Sequence, residues 1–285
     1  MSVDLGAERV SLKRNTSMDA IVPRAHRLSA RAMQGNGTAS TITGRFPPFH
    51  RWDRSFFLGA TLAIWTVLVA GFGYDLVTRA RLGMLDFPWI VHLHALVYTG
   101  WIVLLAMQVG LVRTRRLALH RRLGRLGALL IPAMIVLGPA TAIVVRVTAP
   151  HPVWQELAFM GTQFANVLGA GAVLIAGLLT VRHPSTHKRL MIMGTIGLTE
   201  PGFGRLLYPT LYAWFGEGYL PYYLETYAGT LVLVLAAGGY DLATRHRLHP
   251  AWALSAVWIV ANQCLGTWLF YEPWWLRWMA ALTGH

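Results

Sequence analysis

Seven apolar runs follow one another along this chain, at 55–76, 88–112, 124–145, 154–181, 190–214, 222–242 and 251–271. A helix needs roughly 20 apolar residues to cross the hydrocarbon of a bilayer. Inside lipid the backbone must satisfy its own hydrogen bonds, so each run is expected to be a helix. Pro88 and Pro250 stand at the starts of two runs, where a missing N–H breaks no helical bond. Trp52, Trp89, Trp154, Trp214 and Trp252 lie near run ends, as in an interfacial aromatic belt. The pattern predicts an all-α, polytopic transmembrane bundle of about seven spans over 55–271. The segment 272–285, with Trp274, Trp275 and Trp278, reads as an interfacial appendage.

Composition agrees. With 55% hydrophobic and 13% charged residues, a soluble fold could not keep its apolar surface dry. The net charge of +13 is spread between the apolar runs rather than gathered on one soluble face. Its natural partner is therefore an anionic membrane leaflet, not nucleic acid. Residues 1–54 carry nine Lys/Arg against four Asp/Glu and no long apolar run, and read as a disordered basic tail. Cys264 is the single cysteine, which excludes a disulfide framework and a cysteine metal site.

Charge also sets direction. With the N-terminus inside, fourteen Lys/Arg flank the inner ends of the spans and four (Arg79, Arg81, Arg146, Arg277) the outer ends. The expected topology is N-terminus in, C-terminus out. One similarity cuts across it: Gly73-Tyr74-Asp75-Leu76-Val77-Thr78-Arg79 closely matches Gly239-Tyr240-Asp241-Leu242-Ala243-Thr244-Arg245. Seven spans put the two on opposite faces, through an inverted repeat or through coincidental helix-exit chemistry. The alternative is a fifth run that does not fully cross.

Polar groups inside lipid are costly and become functional candidates. His94, Trp101 and Gln108 recur every seven residues in the second run, a spacing that drifts only about 20° per step, so they share one stripe. Gln163 and Asn166 sit deep in the fourth run and need partners. Helix–helix hydrogen bonding would explain both sets. The fifth run is the strongest signal, with Thr199-Glu200-Pro201-Gly202-Phe203-Gly204-Arg205 near its middle. Pro201 frees a carbonyl one turn earlier. Glu200 should be protonated or paired, with Arg205 the obvious partner. The set reads either as a structural ion pair or as a substrate and proton site.

His120-Arg121-Arg122-Leu123 and His187-Lys188-Arg189-Leu190 open the third and fifth runs on one face. Interfacial capping explains them; so would ligation of a metal or haem iron through neutral imidazole. No phosphate loop, nucleophile elbow or HExxH motif is present, and no catalytic residue stands out.

The order His94…Trp101…Gln108, then His120-Arg121-Arg122-Leu123-Gly124, then His187-Lys188-Arg189-Leu190-Met191 resembles a bacterial family of predicted multi-pass membrane proteins of unknown function, over roughly residues 50–255. That resemblance implies a multi-pass protein of a bacterial inner membrane and no particular activity. The transmembrane histidines also resemble, more loosely, those of b561-type cytochromes. This second likeness implies haem b, with His120 and His187 as inner ligands and His94 as an outer one, and an electron-transfer partner. No second deep histidine matches His94, so it implies one haem at most. The leading expectation is a redox-type haem- or metal-binding membrane protein. A proton-coupled small-molecule transporter built on Glu200, Arg205, Trp101, Gln108 and Asn166 competes with it, as does a non-catalytic accessory protein.

Overall fold

A computed structural model describes residues 46–285; the tail expected over 1–45 lies outside the described residues. The described chain is all-helical: α1 (Asp53–Arg81), α2 (Trp89–Arg113), α3 (Leu117–Val147), α4 (Trp154–Leu179), α5 (Pro184–Gly197), α6 (Glu200–Phe215), α7 (Tyr219–Arg245), α8 (Pro250–Tyr271) and α9 (Pro273–Thr283). Six of these, α1 to α4, α7 and α8, are long and apolar enough to cross a membrane. The protein is a polytopic helical membrane protein.

Local chemistry sets the helix ends. Pro184, Pro250 and Pro273 occupy the first turns of α5, α8 and α9, where their fixed φ suits a helix start. Gly216 (φ 69°) and Gly218 (φ 136°) turn the chain between α6 and α7 in conformations that other residues rarely adopt.

The fifth apolar run is not one helix. It divides at Leu198–Thr199 into α5 and α6. Pro201 offers no N–H to the carbonyl four residues earlier. The chain tightens instead into shorter-range bonds, Leu198 N–H to Thr195 O and Thr199 N–H to Ile196 O, both 3.0 Å. From Ile192 to Gly197, and again at Thr199 and Glu200, every residue but Leu198 is buried. A helix buried on all sides belongs at the centre of a bundle.

Helix ends gather at two rims. At the basic rim, Arg113 donates to Arg54 O (2.7 Å), Lys188 and Arg245 pair with Asp53 (2.7 and 2.8 Å), and His187 meets Gly177 O (2.8 Å). At the opposite rim Arg146 pairs with Glu156 (3.9 Å), Phe270 stacks on Tyr222, and Trp275 donates to Ala158 O (3.3 Å). Between them α5 lies along α4, with Gly194 under Leu174, while α6 lies between α1 and α7. The α1–α6 contact is backbone on backbone: a Cβ on Gly71 would stand 2.3 Å from Gly202 O.

Residues 46–54, which the sequence assigns to the polar tail, join the bundle. The Phe46 ring lies under the guanidinium groups of Arg189, Arg245 and Arg247 and against the His249 ring. Asp53 is buried as the first residue of α1.

Candidate functional site

The break in the fifth run places a carboxyl group in the middle of the protein. Glu200 begins α6 and is 4% exposed. Its Oε2 accepts a 2.9 Å hydrogen bond from Asn166 Nδ2 on α4. Directly behind it, the Thr199 hydroxyl donates to Ile196 O (2.6 Å) and meets the Thr230 hydroxyl of α7 (3.3 Å). One turn along α4 from Asn166, the Thr162 hydroxyl is 2.7 Å from Tyr222 Oη. Tyr227 is fully buried with a hydroxyl that has no partner.

Arg205 does not pair with Glu200, contrary to expectation. Its Nη1 donates back to Pro201 O (2.8 Å), and its Nε faces Asp75 of α1 at 3.6 Å. The reason is helical spacing: Glu200 to Arg205 is five residues, which turns the two side chains well apart on α6. Pro201 lies at the start of α6, so no bend between them restores contact.

The recurring Gly-Tyr-Asp-Leu segments explain where that arginine goes. Asp75 bonds Arg79 one turn on in α1 (3.0 Å) and faces Arg205 of α6. Asp241 approaches Arg245 one turn on in α7 (3.7 Å) and is held by both Nε and Nη2 of Arg189 in α5. Each half of the broken run is thus clamped by one copy of the motif, α5 near the basic rim and α6 toward the opposite rim. The two clamps differ in depth: Arg189 and Asp241 side chains are 5% and 2% exposed, Arg205 and Asp75 33% and 30%.

The basic-rim clamp belongs to a larger network. Asp53 accepts from Lys188, Arg245 and the Tyr240 hydroxyl, the last at 2.6 Å. A cavity of about 10 Å³, the space one water needs, lies beside Arg189, Asp241 and Tyr240. The buried His249 ring accepts Ala251 N–H at Nδ1 (3.0 Å), which caps α8. Burial, reinforced by the positive charge of Arg189, lowers the His249 imidazole to about 4.

The stripe on α2 does not converge on one site. Trp101 donates to the Thr195 hydroxyl of α5 (3.3 Å). His94 stacks on Tyr98 (4.1 Å), with an unpartnered Nδ1, in the half away from the basic rim. Gln108 lies near Gly124, with neither amide atom bonded. Helical register therefore identified one face, but Trp101 meets α5, Gln108 lies against α3 and His94 stacks within α2.

His120 and His187 do meet, with ring centroids 6.4 Å apart at 83°. His187 Nδ1 is held by Gly177 O, the kind of bond that orients a metal-ligating imidazole. That spacing would admit an iron atom, but haem also needs a slot on the scale of a cofactor pocket, several hundred Å³. The cavity beside Arg189 touches neither ring, and the groove lined by Ala118, Arg121, Arg122 and Arg125 is formed by the other face of α3. His94 is too far along α2 to join them. These surroundings do not fit a haem. Among the described residues no cluster of three His, Cys, Asp or Glu is placed to hold a metal ion.

Thr162, Tyr222, Tyr227 and the Asp53 network carry no motif that periodicity would single out. Asp75 and Asp241 did carry one, in the repeated segment. No family model matches the chain, and no match was found among curated proteins or solved structures.

Proposed function

We propose that this protein is a proton-coupled membrane transporter of a small molecule, with Glu200 as the proton-carrying group. In this reading α5 and α6 together make a seventh crossing. The basic rim faces the cytoplasm and its anionic leaflet, so the N-terminus is inside and the C-terminus outside. The membrane is the inner membrane of a bacterium.

The observation that carries the reading is the placement of Glu200. It stands at the break of a discontinuous helix, buried, and hydrogen-bonded to the neutral amide of Asn166, while Arg205 makes no contact with it and faces Asp75 at 3.6 Å. A buried carboxylate with no cation in direct contact is expensive. A carboxyl group that carries a proton while the site is dry, and gives it up when the site is wetted or filled, meets that cost. Broken helices at mid-membrane are where transporters place their substrate and ion sites. Asp53 and Asp241, by contrast, each hold a cation.

The reading is tested by screening small molecules for thermal stabilisation of the purified protein at two pH values. A ligand whose effect depends on pH in the wild type and loses that dependence in Glu200→Gln supports it. The same pH dependence in both proteins removes Glu200 from the mechanism.

A further inference from the structure

Resting on that reading, we infer that Glu200 exchanges its proton with the opposite rim, along a ladder of hydroxyl groups formed by Tyr227, Thr162 and Tyr222. Three observations place the ladder. Asn166 and Thr162 are one turn apart on α4, so the residue bonded to Glu200 and the first hydroxyl beyond it lie on one face. Tyr222 and Tyr227 of α7 both lie within electrostatic reach of the Glu200 carboxyl. At Gly266 of α8, a single Cβ position would lie 2.8 Å from Tyr227 Oη and 3.1 Å from Thr162 Cα, so the two residues flank one small space. Gly266 keeps that space free of a side chain.

The ladder ends at the rim. Tyr222 is half-buried in the first turn of α7, stacked on Phe270 with ring centroids 4.0 Å apart. Its hydroxyl bonds Thr162, and Thr162 also donates to Gly266 O at 3.3 Å. The Tyr227 hydroxyl is buried, makes no well-formed hydrogen bond and faces Thr162, and in the ladder it turns between Thr162 and Glu200. An orphaned buried hydroxyl costs stability, and a relay gives this one a use. Toward the basic rim the way is closed: Ile64, Ile192, Met193, Ile196, Val234 and Ile259 are all at most 4% exposed and form one apolar cluster.

Protons balance along this route. Each hydroxyl accepts a proton from its rim-side neighbour as its own passes to the next, so none is left charged. The net change is one proton moved from water at the rim to the Glu200 carboxylate. Arg205, the nearby cation, faces Asp75 at 3.6 Å and takes no part in the transfer.

Infrared spectroscopy in heavy water tests the ladder on the full-length protein. The carboxyl C=O band of Glu200, assigned by its loss in Glu200→Gln, shifts as its proton is replaced by deuterium. Thr162→Val and Tyr227→Phe should slow that shift by about a hundredfold, the low end of what a positioned proton-transfer group supplies. Thr162→Ser should restore the wild-type rate. Tyr222→Phe keeps the partly exposed ring, removes only the hydroxyl bonded to Thr162, and gives a third variant should the buried sites fail to fold. Wild-type rates in these variants overturn the ladder alone. A wild-type protein with no band lost in Glu200→Gln overturns the proton-carrying reading together with the ladder.

Discussion

Asp75→Asn and Asp241→Asn change the same atom in the same sequence motif and should have very different consequences. Asp241 is the buried copy: both its oxygens are engaged by Arg189, and Arg245 is 3.7 Å away. Asparagine keeps the shape but removes the charge, leaving the Arg189 guanidinium, 5% exposed, without its counter-ion, while Arg245 keeps Asp53. Breaking a buried pair from one side costs about 3–5 kcal/mol. Asp75 and its partners Arg79 and Arg205 are 30–39% exposed, and such pairs contribute below about 1 kcal/mol. For a protein of this size each kcal/mol moves the melting temperature by roughly 2–4 °C. Asp241→Asn should therefore melt at least roughly 6 °C below the wild type and Asp75→Asn within a few degrees of it, in thermal denaturation of detergent-solubilised protein. Equal losses, or a larger loss at Asp75, would refute the assignment of the two clamps to different depths.

Other consequences are equally direct. Gly71→Ala should push α1 off α6, since the new methyl meets backbone at 2.3 Å, and cost about 1–3 kcal/mol; Gly73→Ala, with nothing within 4 Å, serves as the control and should melt no lower than the wild type. His249 titrates in the folded protein at about 4 rather than 6.5 because of its burial and the charge of Arg189, so the unfolded chain takes the proton first. The neutral ring's contribution is present above about pH 6.5 and lost as pH falls toward 4, on the order of 2–3 kcal/mol. His249→Asn, which can still cap α8, should flatten that part of the melting-temperature profile; parallel profiles would contradict the reasoning. Protein purified from cells supplied with haem should lack a Soret band; a band lost in His120→Ala or His187→Ala would show that the rim histidines open to admit a haem.

Much of this architecture is written in the order of residues. The apolar runs mark every long helix, Pro88 and Pro250 mark starts, and Thr199-Glu200-Pro201 marks the break, because these properties are local. The two His-basic segments were placed on one rim by topology, and their rings do meet there. What could not be read was partnership. Arg205 looked closest to Glu200 along the chain, yet its counter-ion comes from α1, about 130 residues away. Asp53 looked like part of a solvated tail and instead anchors Lys188, Arg245 and Tyr240. The His94, Trp101 and Gln108 stripe shows the limit of periodicity: register fixes the face of a helix, while the neighbours of that face depend on how the bundle is assembled. Thr162, Tyr222 and Tyr227 are ordinary in composition and gain their meaning from α4, α7 and α8 packing together.

Proton linkage measured on ligand binding goes most directly to the role of Glu200. Calorimetric titration of a ligand from the stabilisation screen, repeated in buffers of different ionisation enthalpy, counts the protons exchanged as the site fills. The wild type should exchange up to about one proton per ligand near neutral pH, and Glu200→Gln none. The same proton count in both would contradict a proton-carrying role for Glu200.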